Sequence, residues 1–138
     1  DRLEATAGPR NFKRVRGGLV DVEFVVQTLQ LKFGRDHPTI LVPNVWAALD
    51  ALSAARLLAP EEIARLREGY TFLRNVEGRL RIVTDRPLTE IPESPADLEK
   101  LARRMGLSPQ AFREELARQL AGNREVYEQI FRRLEGIR

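Results

Sequence analysis

The 138-residue sequence contains no cysteine and a single histidine. A chain without thiols has no disulfide framework, thiolate zinc site or cysteine nucleophile, and one imidazole excludes a multi-histidine metal site. No apolar run approaches the ~20 residues that a helix needs to span a bilayer. The sequence also lacks a Walker-type phosphate loop, a dinucleotide fingerprint and a nucleophile-elbow serine. The usual motifs of a free-standing enzyme are therefore missing.

The excess of positive over negative charge is small as well. The chain carries 23 lysines and arginines against 20 acidic residues, which gives a net charge of only +3. Because acidic residues are interspersed with the basic ones, the sequence gives only a weak signal for a helical bundle that binds nucleic acid. If the chain did bind RNA or DNA, the affinity would fall steeply with salt concentration. The hydrophobic content of 43% and the length are those of one globular domain with a single core.

Start and stop signals divide most of the chain into helices. A capping Asn or Ser, or a proline in the first turn, marks four starts, at Asn44, Pro60, Ser94-Pro95 and Ser108-Pro109. The long helix from about Pro60 to Thr84 has one apolar stripe, which only Glu77 interrupts. The last helix contains Gly122-Asn123, a candidate kink, and Gly136 is expected to end it.

The first helix opens at a double glycine, Gly17-Gly18, and Gly34 is its candidate left-handed cap. Its apolar stripe is widened by Phe24, Val25 and Leu31, which predicts burial on more than one side. Upstream, the alternation over 12–16 predicts a short strand. Together the signals predict an all-α bundle of about five helices, with an extended N-terminal arm over 1–16 and the bundle over 17–138.

Two carboxylates, Asp21 and Glu23, lie in the first turns of this helix. They are about 200° apart around the axis at roughly 100° per residue, so they do not share a face. Asp21 suits the positive end of the helix dipole. Apolar neighbours surround Glu23, which predicts a partly buried carboxylate that needs an arginine partner. A catalytic or metal-binding role for Glu23 is the alternative.

The basic residues that lead into the double glycine suggest a second kind of site. Free N–H groups at a helix start suit an anion, so Lys13, Gly17 and Gly18 are predicted to form an anion-facing turn. On the long helix, Glu77 has Arg74 and Arg81 at ion-pair spacing. These three residues form either ordinary ion pairs or contacts to a neighbouring domain or a phosphate.

The segment from Phe12 to Gln27 reads FKRVRGGLVDVEFVVQ. It resembles the Lys-x-x-x-Gly-Gly-(Leu/Ile)-x-(Asp/Glu)-Ile-Glu-Phe-x-x-Gln signature of the glutamine synthetase adenylyltransferase family. The segment Tyr70–Arg74, YTFLR, matches that family's (Tyr/Phe)-x-Phe-Leu-Arg. The related uridylyltransferases have a similar double-glycine turn but usually lack the Glu-Phe. The resemblance covers nearly the whole chain.

The resemblance implies a place within a larger enzyme. Members of that family carry two nucleotidyltransferase repeats, each followed by a helical domain; one repeat removes AMP from a tyrosine of glutamine synthetase and the other adds it. Val20 and the segment 85–88 are similar to the second, adenylating repeat. The family's Gly-Ser turn and Asp-x-Asp metal core are absent from this sequence, so residues 1–16 are interpreted as the end of an upstream catalytic domain. The start at Asp1 rather than Met fits that interpretation.

Further expectations follow from the same resemblance. ATP and Mg²⁺ are implied for the longer enzyme, and no cofactor is expected for this segment alone, which should not transfer AMP. Glu23, before Asp21, is the candidate auxiliary carboxylate near the metals. The implied partners are the upstream domain, glutamine synthetase and a PII signal protein, in the cytoplasm, without nucleic acid or membrane. A free-standing helical interaction module is the alternative.

Overall fold

A computed structural model describes residues 11–84 and 90–136. Its five α-helices are α1 (Leu19–Phe33), α2 (Val45–Ala54), α3 (Pro60–Thr84), α4 (Pro95–Arg104) and α5 (Pro109–Glu135), with a 3₁₀ turn at Pro38–Ile40. In the described parts of the chain, β pairing is limited to an isolated bridge between Asn11 and Glu90. The prediction of an all-α bundle of about five helices is confirmed. No described helix is both long and apolar enough to cross a membrane.

Local capping explains why the helices begin where they do. The side chain of Asn44 accepts the N–H of Ala47 at 2.9 Å before α2, and that of Ser108 accepts the N–H of Ala111 at 3.1 Å before α5. At the start of α3, the Glu62 carboxylate accepts the N–H of Ala59 at 2.9 Å. Each cap acts within three residues, so the sequence alone predicts it.

The two long helices, α3 and α5, pack along each other and form the centre of the bundle. Helix α1 packs against both of them, while α2 packs on α1 and α3, and α4 packs on α3 and α5. The predicted stripe of α3 is buried at Leu66, Tyr70, Leu73 and Leu80. The structure therefore places α1, with its double glycine and its two carboxylates, in the angle between the two central helices.

The predicted strand at residues 12–16 is wrong, since turns occupy this stretch. The carbonyl of Asn11 accepts the N–H groups of Arg14 and Val15, and its side-chain oxygen accepts those of Lys13 and Arg14. An Asn side chain that satisfies the backbone in this way favours a turn over an extended strand. Phe12 is 1% exposed and fixes the turn to the core. Residues 1–10 of the predicted arm lie outside the described residues.

Gly34 does end α1, but not in the left-handed conformation that was predicted, since its φ is −63°. A Cβ at this position would lie 2.4 Å from the carbonyl oxygen of Gln30 and 2.5 Å from Cδ2 of Leu41. Glycine is therefore needed here because the carbonyl of Gln30 in the last turn of α1 and the side chain of Leu41 approach closely, rather than for handedness.

One further expectation is corrected by packing. Phe24 and Leu31 were expected to be buried, but they are 49% and 88% exposed in the described structure. Only the sectors of α1 that face α2, α3 and α5 are covered. Helix α5 is continuous through Gly122-Asn123, from Pro109 to Glu135, and both residues are buried. The kink suggested at this pair stays a prediction.

Candidate functional site

The double-glycine turn is clamped against α5. Gly17 has φ +79°, and a Cβ on it would lie 1.9 Å from the carbonyl oxygen of Leu120. Its N–H donates to Oδ2 of Asp21 at 2.7 Å, and its carbonyl accepts Nδ2 of Asn123 at 2.8 Å. Glycine is required here twice, for the left-handed backbone and for the space that α5 occupies.

The backbone donors at the start of α1 are used within the chain. The N–H of Gly17 is bound by Asp21. The next three donate to carbonyls of the preceding turn: Gly18 to Val15 at 2.9 Å, Leu19 to Phe12 at 3.4 Å and Val20 to Lys13 at 2.9 Å. The backbone N–H groups of Gly17 and Gly18 are therefore already used, and an anion at this turn would have to be bound by side chains such as that of Lys13.

Asp21 connects the start of α1 to α5. It is 8% exposed, and Oδ2 accepts both the Gly17 N–H and Nη1 of Arg124, the latter at 2.9 Å. Arg124 also binds Glu128 and lies 4.2 Å from the centre of the Tyr127 ring. Burial lowers the pKa of Arg124, but the hydrogen bonds to Asp21 and Glu128 outweigh burial and raise this pKa above its usual range. Asp21 is therefore part of the clamp.

Glu23 points the other way, toward α3. The hydroxyl of Tyr70 donates to Oε2 of Glu23 at 3.2 Å, and Nη2 of Arg74 lies 3.4 Å from the same oxygen. Arg74 also donates to the Tyr70 hydroxyl at 2.9 Å and to Oε1 of Glu77 at 2.6 Å. We call these four residues, Glu23, Tyr70, Arg74 and Glu77, the Glu23 cluster.

The Glu23 cluster is anchored in the core and open to the surface. Tyr70 is 2% exposed and meets the edge of Trp46 with ring centres 5.0 Å apart, while the side chains of Glu23 and Arg74 are 29% and 36% exposed. Burial raises the pKa of the Tyr70 hydroxyl above 10, so it remains a neutral donor to Glu23 at neutral pH. One arginine between two carboxylates leaves the cluster with a formal charge of −1.

These contacts show which of the predicted ion pairs form. The predicted arginine partner of Glu23 is confirmed as Arg74, which is also the partner of Glu77. Asp21 and Glu23 do lie on different faces of α1. Arg81 is exposed and does not belong to the Glu23 cluster.

Sequence reasoning missed three members of these networks, Tyr70, Asn123 and Arg124. The spacing of four between Tyr70 and Arg74 was available as a signal, because residues four apart are neighbours on a helix. Asn123 was considered only as part of a kink. The contact of Asn123 with Gly17 spans 106 residues, and no local pattern in the sequence indicates it.

The donor set does not fit a magnesium site by itself. Mg²⁺ takes oxygen ligands, commonly one or two carboxylates with substrate phosphates. Asp21 and Glu23 bind arginines on opposite neighbours of α1. Within 11–84 and 90–136, no group of three or more His, Cys, Asp or Glu side chains could hold a metal ion.

The fold and the clamped turn define a class, a helical-bundle domain organised around a double glycine at the start of its first helix. The family model described as GlnD PII-uridylyltransferase matches residues 3–134, and the chain belongs to this family.

The curated relatives with similar sequences are named as bifunctional glutamine synthetase adenylyltransferase/adenylyl-removing enzymes. The one from Bradyrhizobium diazoefficiens is 38% identical over 132 residues, which cover 93% of this chain and 13% of that enzyme. The enzyme from Xanthobacter autotrophicus is 39% identical over 122 residues, 88% of this chain and 12% of its own length. The enzyme from Streptomyces coelicolor is 38% identical over 107 residues, 78% of this chain and 11% of its own. The chain thus spans about an eighth of the length of these relatives.

Proposed function

We propose that this chain is the helical domain of a nucleotidyltransferase that transfers AMP from ATP to a tyrosine of glutamine synthetase, or removes it, in nitrogen regulation. The observation that carries the proposal is the similarity to adenylyltransferases over 93% of the chain. The Glu-Phe that follows the double glycine supports this branch over the uridylyltransferases. In this proposal the chain follows the second, adenylating repeat and acts as scaffold and docking surface.

The two carboxylates of α1 take different roles in this proposal. Asp21 is 8% exposed and held by Gly17 and Arg124, so it positions the turn. Glu23 is held in one orientation by Tyr70 and Arg74 but keeps 29% of its side chain exposed. A fixed and accessible carboxylate suits a contact to an adjoining catalytic domain. That domain would bind ATP and Mg²⁺ and carry out the chemistry.

The first experiment separates scaffold from catalyst. The purified 138-residue chain is incubated with labelled ATP, Mg²⁺ and glutamine synthetase, beside the longer polypeptide that contains it. We expect incorporation of AMP into glutamine synthetase only with the longer polypeptide. Transfer by the 138-residue chain alone would overturn the scaffold role, and no transfer by either would overturn the proposed activity.

A second experiment tests the Glu23 cluster in the longer polypeptide. Glu23→Gln keeps the shape of the side chain but removes the charge that faces Arg74 and the neighbouring domain. We expect the rate of AMP transfer to fall about tenfold, which corresponds to about 1.4 kcal/mol. The matched control is Glu99→Gln, which removes an exposed ion pair with Arg103 on α4. Equal rates for the two variants would show that Glu23 plays only a structural part.

A docking role on a regulatory partner is the second candidate, and the exposure of Phe24 and Leu31 favours it. Glutamine synthetase and a PII signal protein are the partners that the resemblance implies. Titration calorimetry of the 138-residue chain with each protein tests this directly. Saturable heat with either would support an interaction module, while no heat at high micromolar concentrations would count against it.

A further inference from the structure

One side of α1 is left uncovered by the bundle. Val20, Phe24, Gln27 and Leu31 fall within about 60° of one another around the helix axis, at roughly 100° per residue. We call these four residues the α1 face. Leu31 is 88% exposed and Phe24 is 49% exposed. Val20 and Leu31 are about three helical turns apart on α1, so the α1 face extends over about 17 Å.

Aromatic rings of α5 continue the α1 face on one side. The ring of Phe24 stacks on that of Phe131 with centres 5.7 Å apart, and Phe131 meets Tyr127 at 4.6 Å. The Glu23 cluster lies on the other side of the α1 face, because Glu23 is about 100° from Phe24 around the axis and contacts α3. Phe24 is therefore continuous with neighbouring rings and is not a single scattered apolar residue, and Leu31 lies two turns further along the same side of α1.

The composition of the α1 face is that of the centre of a protein interface. None of its four residues is charged, although 31% of the residues in the whole chain are charged. Interface centres are depleted in charge and enriched in aromatic residues, whereas an ordinary solvent-facing helix side carries Lys, Arg and Glu. Leu31 is almost fully exposed, and its contact with water is unfavourable. Docking of a partner on the α1 face would remove that contact.

We propose that the α1 face, with Tyr127 and Phe131, is the surface on which the catalytic nucleotidyltransferase domain of the same polypeptide docks. This rests on the function proposed above. The matched segment is only 13% of the Bradyrhizobium relative, so most of such a polypeptide lies outside the bundle and is available to cover it. The α1 face also adjoins Glu23, so a domain that covers it is placed to contact that carboxylate.

The absence of cysteine from the 138 residues makes the test direct. Leu31→Cys places one thiol on the α1 face, and Ala96→Cys places a control thiol at an exposed site on α4, which packs on α3 and α5. Each variant is labelled with a maleimide both in the 138-residue chain and in the longer polypeptide, and the labelled peptide is quantified by mass spectrometry. We expect Leu31→Cys to react at least tenfold more slowly in the longer polypeptide, and Ala96→Cys to react equally in both.

Three results would overturn the docking proposal. The first is an unchanged labelling rate for Leu31→Cys in the longer polypeptide. The second is equal protection of both thiols. The third is protection that already grows with concentration in the 138-residue chain, which would assign the α1 face to a second copy. Gln27→Cys repeats the measurement if Leu31→Cys does not fold. Because labelling does not depend on activity, protection without AMP transfer would overturn only the proposed function.

Discussion

Replacing Gly17 with alanine tests the clamp between the double-glycine turn and α5. The added Cβ would lie 1.9 Å from the carbonyl oxygen of Leu120, and separations below 3.0 Å essentially never occur for a real Cβ. The turn and α5 would have to move apart by more than an ångström. That movement would break the hydrogen bond from Asn123 to Gly17 and loosen the one from Gly17 to Asp21.

The cost of Gly17→Ala can be built from these parts. Holding a non-glycine residue at φ +79° costs about 1–2 kcal/mol. Each of the two hydrogen bonds contributes about 0.5–1.5 kcal/mol, and more when a buried group is left unpaired. We therefore expect the free energy of unfolding to fall by about 2–5 kcal/mol. That is a large part of the 5–15 kcal/mol typical of a domain.

Gly106→Ala is the matched control. Gly106 also has a positive φ, +76°, but nothing lies within 4 Å of a Cβ there. It should therefore cost only the backbone term, about 1–2 kcal/mol. Urea unfolding followed by helical circular dichroism measures both variants. Equal destabilisation by Gly17→Ala and Gly106→Ala would refute the clamp, because the two sites differ chiefly in their contact with Leu120.

Three further predictions concern stability in the same urea experiment. Gly78→Ala should stabilise the chain by about 0.5–1 kcal/mol, because Gly78 lies in α3 and a Cβ there meets nothing within 4 Å. Asn123→Ala should destabilise by about 1–3 kcal/mol, since it leaves the buried carbonyl of Gly17 without its donor; Asn123→Asp, which also loses that donor, should not restore stability. Burial raises the pKa of Glu62, but its hydrogen bonds to Arg133 and the backbone outweigh burial and bring the pKa below 4.5. The stability that Glu62 adds is therefore present above pH 4.5 and is lost as the pH falls through its lower folded-state pKa. Glu62→Gln should therefore make the free energy of unfolding less dependent on pH on the acid side. An unchanged dependence on pH would contradict this.

Local signals predicted most of the helical architecture. Asn44, Ser94 and Ser108 mark helix starts because each side chain accepts an N–H three residues further on. The same reasoning failed at 12–16, where an alternating pattern suggested a strand. One Asn side chain, that of Asn11, satisfies the backbone in a turn there. A pattern of apolar residues does not reveal such a competing hydrogen bond.

The candidate site was predictable only in part. Glu23 stood out because a carboxylate in an apolar helix needs a cation, and Glu77 because it interrupts a stripe. That both carboxylates share Arg74 depends on how α1 packs on α3, 51 residues away in the chain. The exposure of Leu31 was not predicted, because an apolar residue looks the same in sequence whether its own domain or another protein covers it.

The sequence by itself determined the helices, their limits and the separation of Asp21 from Glu23, because capping and helical periodicity act within a few residues. It also carried the double-glycine signature through which the family was recognised. Only the tertiary structure decided what the double glycine does. Gly17 leaves room for the backbone of α5 at Leu120, and its hydrogen bond with Asn123 forms only when helices 100 residues apart pack together. The physical reason is the distance along the chain over which each interaction acts. Capping and helical hydrogen bonds join residues a few positions apart, whereas contacts between distant segments exist only in the packed bundle.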